Sequence, residues 1–555
     1  MTMKQLVAAV AGAAVSCLAA GGLAQTGSDD ASQPRRGVVG WANQAVIVES
    51  PVRVDTREHE GMYSTPLTVS RDALDGIRGA ESVAMIGFPI SDAELVDLDL
   101  RRIRVFDENA EFVNATNPAE TLAERNREGR TLMFGGEVAG APGSAAFIAI
   151  TPTGTNGFVR LDGELHVISS GRHVEGAQPV VFSMSSLPEG YIDWKEFECN
   201  AIDPRTLAEL NETEITPERM EAVLTQLPIA PPAEGGGAGG SFARSGDDPI
   251  QDCRIVDVGI EADVELGNEF LSADDPREAL TDYIETLVAT VSFIYIEQFN
   301  LEFRIIFQRD WIGQPTNADP WDGLSTLDVL FELIGVWNSD TAPTPLDWDG
   351  VHLLSARPLG GGVAFLGAIC DLDFAHAVSA DLNAAFPLDP DGRPVTQDEA
   401  NWDIVVVAHE WGHNLGAPHT HGVTPPIDRC AFGGCSDAVG GTIMSYCHLC
   451  PGGIANIDLR FDDRMADEFI RPFIQGGAPC NLVQPADRCT DIPPAPCLAD
   501  VNGDGRLNGG DFAAWIIAYN AGDPRADINQ DGQITPGDFN AWLAAFNAGC
   551  DFGDD

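Results

Sequence analysis

Positive charge is scarce in this chain. Its 32 lysines and arginines stand against 85 aspartates and glutamates, a formal net charge of −53 over 555 residues. A surface of that sign repels phosphate, which excludes nucleic acid and anionic membranes as main partners. The excess carboxylates serve solubility and, in one segment, calcium. Beyond the first two dozen residues there is also no uninterrupted apolar run of about 18 residues, so no membrane span is expected. The apolar run at residues 4–24, from Lys4 to Gly22-Leu23-Ala24, is short for an anchor. It reads as a secretory signal (residues 1–24) cut near Gln25, which places the mature chain outside the cell.

The twelve cysteines suit that oxidising setting. Cys17 falls in the signal, and eleven remain: Cys199, eight from Cys253 to Cys489, then Cys497 and Cys550. The eight can close among themselves and the last two can clasp the C-terminal segment, which leaves Cys199 over. At 555 residues, with 44% hydrophobic residues, the chain is too long for one core and reads as several globular domains.

Between about 41 and 200, short alternating apolar runs are separated by Gly, Asn and Pro, as in Leu98–Phe106, Ala145–Ile150 and Leu165–Ile168. That pattern predicts a β-rich domain. A connector over residues 201–250 follows and contains Gly235–Gly240, a flexible run open to cutting. From 251 to 480 the pattern becomes α/β. Strands are expected at Arg254–Ala262, Leu301–Phe307, Val351–Leu354 and Gly362–Ile369, with helices at Pro276–Gln298, Leu324–Trp337, Gln397–Leu415 and Asp462–Ile474.

Four of the ten histidines fall within the thirteen residues His409–His421. His409 and His413, four apart, project from one face of a helix. Gly416 can take the left-handed conformation that ends it, and the reversing chain can return His419 as a third nitrogen ligand. Three protein ligands leave one position open, the layout of a catalytic rather than a structural zinc. Glu410 then stands beside the metal as general base for an attacking water. His421 and His448 are surplus to a complete triad and read as supporting or surface groups.

The string H-E-x-x-H-x-x-G-x-x-H from His409 to His419, with Met444 in Thr442-Ile-Met-Ser-Tyr-Cys447 downstream, resembles the metzincin zinc endopeptidases. The strand–helix order and the Gly-rich stretch Gly362–Cys370 are similar to the reprolysin/adamalysin type. Residues Phe134–Ser144, Gly157–Arg160 and Leu165–Ser169 resemble the propeptide that precedes such proteases. The resemblance implies a mixed five-stranded twisted sheet with helices and one catalytic zinc on His409, His413 and His419. It also implies an apolar floor at Met444, and a Gly-rich edge strand that binds peptide substrate in extended form. Tyr446 stands where some metzincins place a tyrosine that assists the zinc or the oxyanion; reprolysins generally do not use one. Propeptides of this clan often hold latency through a cysteine on the zinc, and two readings of Cys199 follow: that latency switch, or a disulfide to Cys253.

The C-terminal segment (497–550) is a repeat. Asp500, Asn502, Asp504, Arg506, Asn508 and Asp511 match Asp527, Asn529, Asp531, Gln533, Thr535 and Asp538, 27 residues later. Positions 1, 3, 5, 9 and 12 offer side-chain oxygens, position 7 (Arg506, Gln533) a backbone carbonyl, and Gly505 and Gly532 allow the turn: an EF-hand-type loop for calcium, about two ions in all. One helix after each loop resembles a type I dockerin, and implies a small all-α module with a cohesin-like partner. The expectation is a secreted, multidomain zinc endopeptidase made as a proenzyme and acting on protein or peptide substrates. The alternative is an extracellular binding or adhesion protein on an inactive metzincin scaffold.

Overall fold

Alternation with period two decides the architecture of the N-terminal half. In strand Ala145–Ile150, every residue is buried. Ala145, Phe147 and Ala149 join one hydrophobic core, while Ala146, Ile148 and Ile150 join another. A strand buried on both faces belongs to a sheet covered on both sides. A computed structural model of the protein describes residues 45–56, 63–115, 130–141, 143–186, 198–202, 253–339, 343–344, 347–386, 403–438, 440–484 and parts of 499–546. The expected signal, nearly all of the connector, and Cys489, Cys497 and Cys550 lie outside them.

Among the described residues, twelve strands lie upstream of residue 203: β1 (Val46–Glu49), β2 (Val52–Val54), β3 (Thr65–Val69), β4 (Ser82–Pro89), β5 (Leu95–Arg102), β6 (Phe106–Asn114), β7 (Leu132–Val138), β8 (Ala145–Ile150), β9 (Thr155–Leu161), β10 (Glu164–Ser169), β11 (Val180–Ser183) and β12 (Glu198–Ile202), the last reaching into the expected connector. Ten of them form one sheet, in the order β1-β4-β5-β7-β8-β9-β10-β11-β3-β2. The other two do not belong to it.

Beyond the connector come β13 (Arg254–Ala262), helix α1 (Pro276–Phe299), β14 (Leu301–Asp310), helix α2 (Thr326–Trp337), β15 (Gly350–Leu354), β16 (Gly361–Phe365), β17 (His376–Ser379) and helix α3 (Asp403–Asn414). Helix α1 opens on Asp275, whose side chain accepts from Glu278 N, with Pro276 in its first turn, and closes on Asn300 in the left-handed conformation at φ 49°. It is long and apolar enough to cross a membrane by length and composition, and it is buried in the fold along its length. Ser325 and Asp328 form a capping box that starts α2.

The resulting sheet has the order β12-β16-β17-β15-β13-β14-β6. Only β16–β17 is antiparallel; the other pairs are parallel. It therefore has seven strands where five are expected, because the upstream region lends one strand to each edge. The expected strand Leu98–Phe106 is two: β5 in the N-terminal sheet and the start of β6 in the other. The Gly-rich strand ends at Phe365 rather than Ile369, since Gly367 turns the chain at φ 65°. The final helix starts as an α turn at Asp463–Met465 and continues as π-helical turns, with Pro472 unable to donate within it.

Disulfides join Cys370–Cys480, Cys430–Cys447 and Cys435–Cys450, and Cys253 is also disulfide-bonded. In the C-terminal segment, helix α4 spans Gly509–Ala521. Trp515 Nε1 donates to Ala526 O at 3.2 Å, and Trp542 Nε1 donates to Ala499 O at 3.1 Å. Each repeat's tryptophan thus holds the residue that precedes the other repeat's loop, so the two halves brace one another.

Candidate active site

Ile404-Val405-Val406-Val407 is a poor helix-forming run, yet α3 is helical because every residue from Asp403 to Asn414 is buried. At its end Gly416 takes φ 92°, and its N–H donates to His413 O at 2.8 Å. The chain reverses there and returns His419. The ring centroids of His409, His413 and His419 lie 4.7 to 5.2 Å apart. The Nε2 atoms of His413 and His419 stand 3.1 Å from each other.

Two of the rings are aimed from behind. His409 Nδ1–H donates to Ile443 O and His413 Nδ1–H to Ala417 O, both at 2.7 Å. A carbonyl only accepts, so each ring carries its proton on Nδ1 and presents a bare Nε2 to the common centre. Burial pushes the pKa of His413 down to about 4 and those of His409 and His419 well below the usual range. Neutral imidazole is the form that binds a metal, and the donor set fits zinc.

Met444 follows Ile443 and packs beneath α3 at Gly412, where a Cβ would come within 2.6 Å of its sulfur. Glu410 is buried, which raises its pKa well above the ordinary carboxylate value. A Cβ on Gly362 of β16 would overlap the Glu410 carboxylate, so glycine is required there for the acid to reach the site. Asn414 ties α3 to the sheet, with Nδ2 donating to Phe365 O at 2.9 Å. The sequence reading has Gly362 only as the start of the substrate strand and passes over Gly412 and Asn414. Their signal is the glycine inside a strand pattern and the glycine inside the zinc helix.

The fourth group at the centre comes from upstream. Cys199 forms no disulfide and is buried, so the Cys199–Cys253 bridge is overturned; Cys253 is bonded elsewhere. The Cys199 sulfur and one nitrogen from each of His409, His413 and His419 all lie within 4.8 Å of one another. Its thiol also donates to Glu410 Oε2 at 3.4 Å. Burial and the neighbouring Glu410 push the thiol's pKa well up, an order that a bound cation would invert.

Tyr446 holds the same residue by its backbone. Its hydroxyl accepts from Cys199 N at 3.0 Å, donates to Cys199 O at 2.9 Å and stands 3.5 Å from His419 Nε2. His421 stacks on His419 with centroids 5.1 Å apart, and His448 is buried against Tyr446. Of the calcium-loop residues, Asp511, Thr535 and Asp538 are described. The two aspartates are buried, and Asp538 Oδ2 accepts from Thr535 N at 2.6 Å. Asp500, Asn502, Asp504, Arg506, Asn508, Asp527, Asn529, Asp531 and Gln533 lie outside the described residues.

Residues 252–455 match the family model described as metallo-peptidase family M12B, reprolysin-like. The match supports a metallopeptidase, and such a family implies zinc. Among solved structures, the chain is similar to a chaperone–substrate complex at 14% identity and a TM-score of 0.22, covering 30% of this chain and 24% of that one. It is also similar to metalloproteinase-II from Bacteroides fragilis at 12% identity and a TM-score of 0.32, covering 68% of this chain and 89% of that one. The chain thus spans about a quarter of the first of these. At such scores neither structure bears on the fold or chemistry of this chain.

Proposed function

We propose that the protein is a secreted zinc endopeptidase made as a latent proenzyme and tethered through a calcium-dependent C-terminal module. The observation that carries the reading is the convergence of three neutral imidazoles beside a buried carboxylate, with an upstream thiol on the remaining side. His409, His413 and His419 would hold the metal. Zinc held there supplies an acidified water and polarises a carbonyl. Glu410 takes a proton at its carboxylate and returns it to the departing amine. Strand β16 offers its main chain to an extended peptide, and Tyr446, whose hydroxyl reads both polar groups of a residue at the centre, steadies the substrate backbone. In the proenzyme, Cys199 would hold the metal together with the three histidines, and β12 would occupy the strand site. The two C-terminal loops bind calcium and present a surface to a cohesin-like partner.

The test is cleavage of a generic protein substrate by the mature form, with and without chelator. Glu410→Ala should retain about one zinc per chain by elemental analysis and lose at least about 100-fold in rate. Rapid proteolysis by that variant would refute the mechanism. A zinc-loaded, folded wild-type protein with no cleavage of any substrate would favour the binding-scaffold alternative.

A further inference from the structure

We propose that the upstream region, residues 45–202, is a separable protein partner that stays bound to residues 253–484, non-covalently, after the chain between them is cut. The proposal rests on the reading of Cys199 as the latency group, but the surface that carries it lies away from the zinc.

No disulfide can tether the two parts. Between residue 25 and Cys253 the only cysteine is Cys199, which is free. Retention must come from the contact itself, and that contact is extensive. Strand β6 is the outer strand of the sheet at the edge opposite β12, paired in parallel with β14 from Ile305 to Asp310. Asn114 Nδ2 donates to the buried Asp310 carboxylate at 3.1 Å, and Ala115 N donates to Asp310 O at 2.9 Å. Cutting the connector frees the C-terminal end of β12 and leaves β6 in place.

Helix α1 presents a stripe to the upstream sheet. Glu278, Asp282, Glu285, Phe293 and Glu297 lie at helical spacing along one face. Arg130 pairs with Glu278 at 2.7 Å, Thr153 donates to Asp282 at 2.8 Å, Thr131 donates to Glu285 at 2.8 Å and Arg160 pairs with Glu297 at 2.9 Å. Phe293 fills the middle, its ring 5.7 Å from that of Phe147 and 5.9 Å from that of Phe158. Gly135 has no Cβ where Phe293 sits, and any side chain would collide with it. A further pair, Arg172–Glu269 at 2.7 Å, extends the same polarity.

In each of these ion pairs the upstream region supplies the cation and the catalytic unit the carboxylate. That asymmetry is what two separable, complementary surfaces have. Between the pairs, Met133, Phe147, Phe158 and Leu165 of the upstream region share the hydrophobic core that holds α1, so the contact also buries apolar surface that favours retention. Anchored at β6 and α1, the upstream region keeps β12 at high effective concentration over β16. A cut connector therefore leaves the site covered.

The test uses the full chain with Gly235–Gly240 replaced by the recognition sequence of a site-specific protease. After complete cutting, the two fragments should co-elute in size-exclusion chromatography at low ionic strength and separate on a denaturing gel without reductant. Fragments that part at once on cutting would overturn the proposal. Raising salt from about 50 mM to 1 M should weaken the association at least about tenfold, since the ion pairs are screened. The double variant Arg130→Glu, Arg160→Glu should do the same at low salt. Salt-independent retention, or an unchanged double variant, would overturn the role given to the stripe. Peptide cleavage by the separated catalytic fragment is read independently. If it is absent with zinc supplied, the protease reading fails while retention stands; if it rises at least about tenfold over the complex, both hold.

Discussion

The two edges of the seven-stranded sheet are closed by strands from the same upstream region, and they are closed differently. At the active-site edge, β12 contributes five residues in unbroken parallel register with Gly361–Phe365. Besides the ladder, Cys199 there is held by a thiol contact to Glu410 and two backbone hydrogen bonds to Tyr446. At the far edge, β6 is nine residues long, carries a register shift opposite Ile305–Phe307 and adds the Asn114–Asp310 bond between buried side chains. On the proposed latency reading, the first edge is suited to leave once Cys199 is released. The second is suited to stay. On that reading the upstream region divides its work between blocking the site and holding the blocker in place.

Strand β13 lies inside the sheet between β15 and β14, and the residue that follows it supplies a test of the sheet as a whole. Asp263 follows β13 and is fully buried, with its pKa raised by burial to about 7 from an ordinary 3.8. The folded state therefore holds the proton more tightly than the unfolded one. Stability from this group is complete below about pH 4, is lost as pH rises towards 7 and is flat above. The total is up to about 4 kcal/mol. Thermal unfolding from pH 4 to 8 should show a steeper loss of stability in the wild type than in Asp263→Asn, which keeps the part due to Asp403 and Glu297, also raised by burial to about 7. Equal slopes in the two proteins would remove Asp263 from the account.

Gly362→Ala probes the active-site edge alone. The added methyl group takes the space of the Glu410 carboxylate, so peptide cleavage by the mature form should fall about 100-fold with the fold unchanged by circular dichroism. Undiminished cleavage would mean that Glu410 works from another position. Cys199→Ser in the uncut chain should raise cleavage by about tenfold, because a hydroxyl is a poor zinc ligand while the β12 ladder remains. If the variant stayed as silent as the parent, the ladder rather than the thiol would be the lock.

The difference between the edges also marks what could be read in advance. The zinc triad lies within eleven residues of sequence, and its spacing states its geometry. Strands β13, β14 and β15 and helices α1 and α2 carry their own periodicity. By contrast, β6 is a polar stretch, Phe106-Asp-Glu-Asn-Ala-Glu-Phe-Val-Asn114, whose partner lies some 200 residues on; Asn114 and Asp310 are 196 apart. Cys199 meets Tyr446 across 247 residues. Parity leaves that cysteine unpaired, but only the fold puts it beside the histidines. Strand β17, four residues long, is too short to announce itself. Gly362 is visible as a glycine in a strand, yet the acid it makes room for is 48 positions away.

The smallest expected effect belongs to the edge that stays. Asn114→Ala removes one donor to Asp310, which still accepts from Arg277 at 2.8 Å, so the carboxylate is not left bare. The loss should be about 1 kcal/mol, read as a roughly fivefold weaker association of the cut fragments, with latency of the uncut chain unaltered. That combination separates the two duties: an anchor can weaken without opening the site, provided the connector is intact. If Asn114→Ala raised the activity of the uncut protein as much as Cys199→Ser, the two edges would be one coupled clamp, and the division of labour between β12 and β6 would fall.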